Sequence, residues 1–332
     1  MSIVWSSILL VLSLGVILVG AEMFTNGVEW AGRRLKLGEA AVGSLLAAVG
    51  TALPETMIPL VALVFSTDGA SHEIGIGAIA GAPFMLGTLA LFVTGIAIAI
   101  YTRLGRRTLK VAVNSEAVSK DMAFFLVFYT VAVSMTFVHV HWARVAVAGL
   151  LMIGYVFYAR LMLMEEDVGE GELSPLHLSR LFTVKPRLRY ISLQIALALA
   201  AIVLGAELFV ENTERVATFL GASPLILALI IAPIATELPE KFNSVIWVGR
   251  NKDTLALGNI TGAMVFQSSF PVSLGLILTA WDLSGPTIVT ALLAIGSILF
   301  NFIYLRIRKT FSVWGLLAGG LFYLGFIIYL FA

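Results

Sequence analysis

The sequence predicts an all-α polytopic membrane protein, ten transmembrane helices folded as two inverted five-helix repeats, and three observations carry that expectation. Of the 332 residues, 59% are hydrophobic and 12% charged, with a mean hydropathy of +0.99. A soluble domain carries about 25% charged residues. The apolar residues fall into blocks of about twenty, the length a helix needs to cross about 30 Å of hydrocarbon. Finally, short motifs of the first half recur in order in the second. The blocks are too long for the strands of an outer-membrane barrel and lack their alternation.

Reading apolar blocks against breakers places the spans at 3–25, 40–65, 74–101, 121–139, 143–163, 190–210, 223–249, 254–280, 285–305 and 312–331. The first block lacks a basic leader and an Ala-x-Ala-like cleavage site, so it reads as a retained span. Basic residues follow the odd-numbered spans: Arg33, Arg34 and Lys36; Arg103, Arg106, Arg107, Lys110 and Lys120; Arg160, Arg180, Lys185, Arg187 and Arg189; Arg250 and Lys252; Arg306, Arg308 and Lys309. The opposite side carries Arg144 and Arg215. Cytoplasmic loops hold the excess of Lys and Arg, which puts both termini on the non-cytoplasmic side of a plasma (inner) membrane.

The polar stretch 164–189, with Glu165, Glu166, Asp167, Glu170 and Glu172, separates a first repeat, 1–163, from a second, 190–332. It lacks EF-hand spacing and reads as a solvated cytoplasmic linker. An odd number of spans per half means that a duplication must be inverted in the membrane. Gly20-Ala21-Glu22-Met23-Phe24 recurs as Gly205-Ala206-Glu207-Leu208-Phe209, and Thr51-Ala52-Leu53-Pro54-Glu55 as Thr236-Glu237-Leu238-Pro239-Glu240. Glu22 to Glu55 and Glu207 to Glu240 both span 33 residues. Gly77-x-Ile79-x-Gly81 in span 3 matches Gly258-x-Ile260-x-Gly262 in span 8.

The chemistry concentrates at Glu55 and Glu240, each inside a span and directly after a proline. An acid at that depth costs several kcal/mol unless neutralised or coordinated, which makes it a functional residue by default. Proline lacks an N–H and clashes with the carbonyl four residues back. The helices are therefore expected to break near Thr51–Leu53 and Thr236–Leu238, freeing carbonyls that are tolerated where they line a cavity or bind an ion. Carboxylate, hydroxyl and carbonyl oxygens suit a hard cation such as Ca²⁺, Na⁺ or a proton. The glycines of spans 3 and 8 allow close helix approach.

These motifs, Gly50-Thr51-Ala52-Leu53-Pro54-Glu55, Ala235-Thr236-Glu237-Leu238-Pro239-Glu240 and Gly258-Asn259-Ile260-x-Gly262, resemble the two repeats of the calcium/cation antiporter superfamily, which includes sodium/calcium and proton/calcium exchangers. The resemblance covers nearly the whole chain. It implies a central Ca²⁺ site on Glu55 and Glu240, and alternating access by sliding of the first and sixth spans against the rest. The chain departs from the family where polar residues usually continue the span 3 and span 8 motifs: here stand Ala82, Pro83 and Leu86, then Ala263, Met264 and Gln267. Glu237 occupies a position where the family commonly has Ser. With those hydroxyls and amides missing, the sodium positions are incomplete and coupling leans toward protons.

The predicted site is thus Glu55, Glu240, Glu237, Thr51, Thr236, Gln267 and Asn259, with inorganic cations and the lipid bilayer as partners and no cofactor beyond the transported ion. Other readings stay open. Glu237 precedes Lys241 by four residues, a spacing that pairs them on a helix. Thr51 and Thr236 are of a type that bonds back to its own helix, and Asn259 and Gln267 of a type that glues helices together. Glu22 and Glu207 read as interfacial, and His139 and His141 as surface residues.

The expected activity is exchange of Ca²⁺ for H⁺ or Na⁺. The alternatives are another cation (Mg²⁺, Mn²⁺ or K⁺), a cation channel, or an intramembrane enzyme. The last fits poorly, since no His lies at a span centre and His72-Glu73 lacks the second His of a zinc protease. No phosphate-binding Gly-x-x-x-x-Gly-Lys-Ser/Thr loop points to ATP, a net charge of +1 does not suggest nucleic acid, and no cysteine is present for thiolate chemistry.

Overall fold

The structure, a computed structural model, describes residues 3–34, 53–65, 69–165, 174–182, 186–308 and 310–331. Thr51, the acidic run of the linker and the start of the predicted second span lie outside the described residues. The described residues form α1 (Ile3–Arg34), α2 (Leu53–Val64), α3 (Gly69–Met85), α4 (Leu91–Arg103), α5 (Ser115–Ser134), α6 (His141–Glu165), α7 (His177–Phe182), α8 (Leu188–Leu220), α9 (Pro224–Gly249), α10 (Asp253–Gln267), α11 (Phe270–Leu278), α12 (Pro286–Arg308) and α13 (Val313–Phe331). Among them there is no extended strand; one bridge pairs Val111 with Phe311 between two loops.

Eight helical segments are long and apolar enough to cross a membrane, with α3–α4 and α10–α11 each counting as one. The apolar stretches of α2 and of the first half of α9, Glu55–Val64 and Pro224–Glu237, are shorter. Val11, Leu12, Ile153, Val156, Leu321 and Leu324 point outward from α1, α6 and α13. Hydrocarbon outside and satisfied backbone within are what a helical membrane protein requires.

Local chemistry sets the helix ends. Asn114 caps α5 by accepting from the amides of Glu116 and Ala117, and Ser223 caps α9 with Pro224 at its first turn. Gly221, at φ +65°, closes α8 in the left-handed conformation that glycine adopts without strain. Within the third span, a π-helical turn at Leu86–Ala90 follows Pro83. There Ser297 of α12 donates to the Gly87 carbonyl at 2.6 Å. Ser268 and Ser269 interrupt the predicted span 254–280, and both hydroxyls turn back to carbonyls of α10. The first and sixth spans run past their predicted ends, to Arg34 and Leu220.

The helices enclose two apolar clusters. The smaller joins α1, α2 and α8 to Ile74 and Ala78 of α3 and Ala228 and Ala232 of α9. The larger lies among α3–α6 and α10–α13. α1 packs antiparallel on α8, and the contact is reciprocal. A methyl group built on Gly20 would meet Ile202 Cγ1 at 2.8 Å and the Ala198 carbonyl at 3.2 Å; one on Gly205 would meet Ile17 Cγ1 at 2.8 Å and the Ser13 carbonyl at 3.2 Å. All three pairs of positions are related by the same offset of 185 residues, as at a two-fold contact where each side repeats the other.

The linker ends on this pair. Asn26 of α1 donates to the Ser174 and Pro175 carbonyls and accepts from the His177 amide, while Gln194 of α8 accepts from the Leu178 amide and donates to the Met23 carbonyl and to Asn26 Oδ1. Helix α7 is thereby fastened to both members.

Candidate ion site

The site is best built from α9. Pro239 removes one intrahelical hydrogen bond, yet α9 continues unbroken from Pro224 to Gly249, so the expected break near Thr236–Leu238 does not occur. Gly77 and Gly81 of α3 lie against its backbone: a methyl group on Gly77 would stand 2.5 Å from the Leu225 carbonyl, and one on Gly81 would collide with the Leu229 carbonyl. The Leu229 carbonyl is the one that Pro233 leaves without an amide partner. In the second copy of the motif, nothing among the described residues stands within 4 Å of a methyl group built on Gly258, and one on Gly262 would lie 3.6 Å from the Tyr158 hydroxyl.

On α9, Thr236 and Glu237 are each 2% exposed. The Thr236 hydroxyl donates to the Ala232 carbonyl of its own helix at 2.9 Å. Glu237 accepts from Gln267 Nε2 at 2.9 Å through Oε1, and its Oε2 lies 3.4 Å from Lys241 Nζ. Lys241 Nζ also reaches the backbone and side-chain oxygens of Asn259, both at 3.4 Å. Asn259 in turn approaches Ser244 Oγ, which donates to the Ala256 carbonyl at 2.9 Å. Gln267 Oε1 is buried with no hydrogen-bond donor among the described residues. The predicted residues Glu237, Gln267 and Asn259 are therefore joined in one polar chain, with Lys241 as a link that the sequence offered only as a helical pairing partner.

Glu55 lies in the first turn of α2 and is 6% exposed. Its backbone carbonyl faces the missing amide of Pro59, four residues on. α2 and α9 share the smaller apolar cluster, where Met57 and Ile58 join Ala232 and Ala235. Glu55 and Glu237 thus stand on two helices that share this cluster. The side chain of Glu240 lies outside the described residues. Glu22 and Glu207 are exposed; Glu22 faces His177 Nε2 at 3.6 Å.

Two buried ionic arrangements went unread in the sequence. Asp121 of α5, 5% exposed, accepts from the Tyr158 hydroxyl at 2.9 Å and from Thr261 Oγ1 at 2.5 Å, which ties the second glycine motif to α5 and α6. Arg107 pairs bidentately with Asp253 at 2.7 and 2.8 Å and donates to the Val248 and Lys110 carbonyls. It pins the loop after α4 to the corner between α9 and α10. An acid at the head of a span was a signal for both Asp121 and Asp253; their partners, over a hundred residues away in the chain for Thr261 and Arg107, were not.

Among the described residues the site brings oxygen donors and the Lys241 ammonium together within a helical membrane bundle, and known proteins share the fold. A profile of the family described as sodium/calcium exchanger protein matches residues 5–164 and 191–332. An uncharacterised membrane protein of Methanocaldococcus jannaschii is 24% identical over 265 residues, covering 79% of each chain. Among solved structures, an H⁺/Ca²⁺ exchanger, CAX, superposes with a TM-score of 0.77 at 17% identity, over 98% of this chain and 82% of the other. The sodium–calcium exchanger NCX_Mj gives 0.59 at 19% identity, over 98% and 99%.

Proposed function

The chain belongs to the sodium/calcium exchanger protein family, and from that premise we propose that it is a secondary active antiporter that exchanges Ca²⁺ for H⁺ or Na⁺ by alternating access. Glu55 and Glu240 bind the cation in turn with the counter-ion. Glu237, Gln267 and Asn259 complete the polar surroundings, with Thr51 and Thr236 lining the two Leu-Pro-Glu segments. The ten spans form two inverted repeats in a plasma (inner) membrane, both termini outside the cytoplasm. The observation that carries the reading is a carboxylate, Glu237, 2% exposed inside a membrane helix and held by Gln267 and Lys241, on a helix packed against the one that carries buried Glu55. Groups so costly to bury are retained where an ion passes.

The α1–α8 pair supports the moving part of the scheme. Its crossing is marked by a glycine on each helix, with the isoleucine of the other helix seated on it. The open recess of about 790 Å³ between the start of α1 and the end of α8, lined by Ser6, Glu211, Glu214 and Arg215, includes none of the predicted site residues. The deciding experiment is counterflow of radiolabelled Ca²⁺ in proteoliposomes with Na⁺ and pH varied independently. Glu55→Gln and Glu240→Gln should abolish exchange while leaving reconstitution intact; retained exchange in both would sink the reading. Mg²⁺ or Mn²⁺ outcompeting Ca²⁺ would shift the cargo and keep the site.

A further inference from the structure

A cation-binding site that already contains an ammonium group poses a question of charge. Lys241 Nζ is held by three oxygens, Glu237 Oε2 and the two oxygens of Asn259, each at 3.4 Å, and the side chains of Lys241 and Glu237 are both 2% exposed. Carboxylate, amide and backbone carbonyl oxygens are the donors a hard monovalent ion would take. The internal duplication holds both charges in one repeat and neither in the other. At the fixed offset of 185 residues, Glu237 corresponds to Ala52 and Lys241 to Thr56, so the first repeat has neither charge and the second has both. Their spacing of four residues puts them on one helical face. An acid added at that depth without its base would leave a buried charge costing several kcal/mol.

Resting on the antiporter reading above, we propose that Lys241 is a resident counter-ion: its ammonium permanently fills one monovalent position beside Glu237, so the exchanger carries one fewer monovalent ion per cycle than its carboxylates would otherwise demand. The charge is covalently tethered and stays behind when the cargo leaves. Glu237 then serves to seat Lys241, with Gln267 Nε2 holding the other carboxylate oxygen at 2.9 Å, while Glu55 and Glu240 face the travelling ions. Lys241 sets stoichiometry, and through it the steepness of the Ca²⁺ gradient that a given Na⁺ or H⁺ gradient can sustain.

The test is a null-point measurement on the full chain in proteoliposomes, with voltage clamped at zero by valinomycin and K⁺. The Ca²⁺ ratio at which net radiolabelled Ca²⁺ flux vanishes is plotted against the imposed Na⁺ or H⁺ ratio, both logarithmic, and the slope is the number of monovalent ions per Ca²⁺. Lys241→Met should raise the slope by one, and Glu237→Gln combined with Lys241→Met should return it to the parent value. A slope unchanged in Lys241→Met, or still raised in the double variant, overturns the proposal. If Lys241→Met is folded by size-exclusion chromatography yet inert, recovery of exchange in the double variant supports the same conclusion, and a double variant equally inert refutes it. Absence of any gradient-driven Ca²⁺ movement in the parent protein is a separate outcome, which overturns the antiporter reading itself.

Discussion

At the scale of single residues, the side chain that best separates a working ion site from a structural ion pair is Gln267. Its amide nitrogen donates to Glu237 at 2.9 Å, while its oxygen is buried with no donor among the described residues. Replacing it with Leu leaves a buried carboxylate oxygen without its amide donor, which costs about 1–3 kcal/mol. The expected outcome for Gln267→Leu is a thermal midpoint in detergent lowered accordingly, measured beside the parent protein. The sequence made Gln267, Glu237 and Asn259 legible as polar residues in apolar spans. Lys241 was legible as the partner of Glu237 because that pairing is local, four residues along one helix. Its bonds to Asn259 were not, since they depend on how α9 and α10 meet.

At the scale of elements, α9 is continuous where the sequence foretold a break. Pro239 deletes one hydrogen bond without ending the helix, and nearer its start Gly81 of α3 sits on the Leu229 carbonyl that Pro233 leaves without an amide. Gly81→Ala therefore places a methyl group on the Leu229 carbonyl. An overpacked contact of this kind costs about 1–3 kcal/mol, to be seen as a lowered thermal midpoint in detergent. The corner held by Arg107 is a stronger dependency. Arg107→Ala strands Asp253, 2% exposed, and breaking a buried pair from one side costs about 3–5 kcal/mol, so the expected result is poor yield and early aggregation, partly relieved by adding Asp253→Asn. The interruptions at Leu86–Ala90 and Ser268–Ser269 were hidden because hydropathy continues through them. Their signals, Pro83 and a Ser-Ser-x-Pro run, are weak ones that apolar spans often tolerate.

At the scale of the whole molecule, hydropathy made the helical bundle legible, because it records the bilayer directly. The pairing of α1 with α8 was less so: recurring motifs showed that the halves are related, while the seating of each glycine on the isoleucine of the other helix depends on how the two helices meet in space. Two expectations follow. Gly20→Leu and Gly205→Leu, each driven into the same kind of ridge, should lower thermal stability by similar amounts, measured side by side; a large effect of one and none of the other would contradict the reciprocal crossing. Because the chain has no cysteine, single cysteines introduced at Leu109 and Val140 report sidedness cleanly. An impermeant maleimide added outside intact cells should label position 140 and spare position 109.

The reciprocal crossing also bears on ancestry. Arg33 and Arg34 end α1, whereas Arg187 and Arg189 stand at the beginning of α8, so the anchors of the two helices lie at opposite chain ends though at neighbouring places in space. A lone first half, inserted by its own charges, would enter every time in one direction, and two such copies would lie parallel, unable to reproduce an antiparallel glycine contact. A progenitor of half this length would have had to insert both ways up, and fusion, followed by redistribution of arginine between the halves, would have fixed one copy in each direction for good.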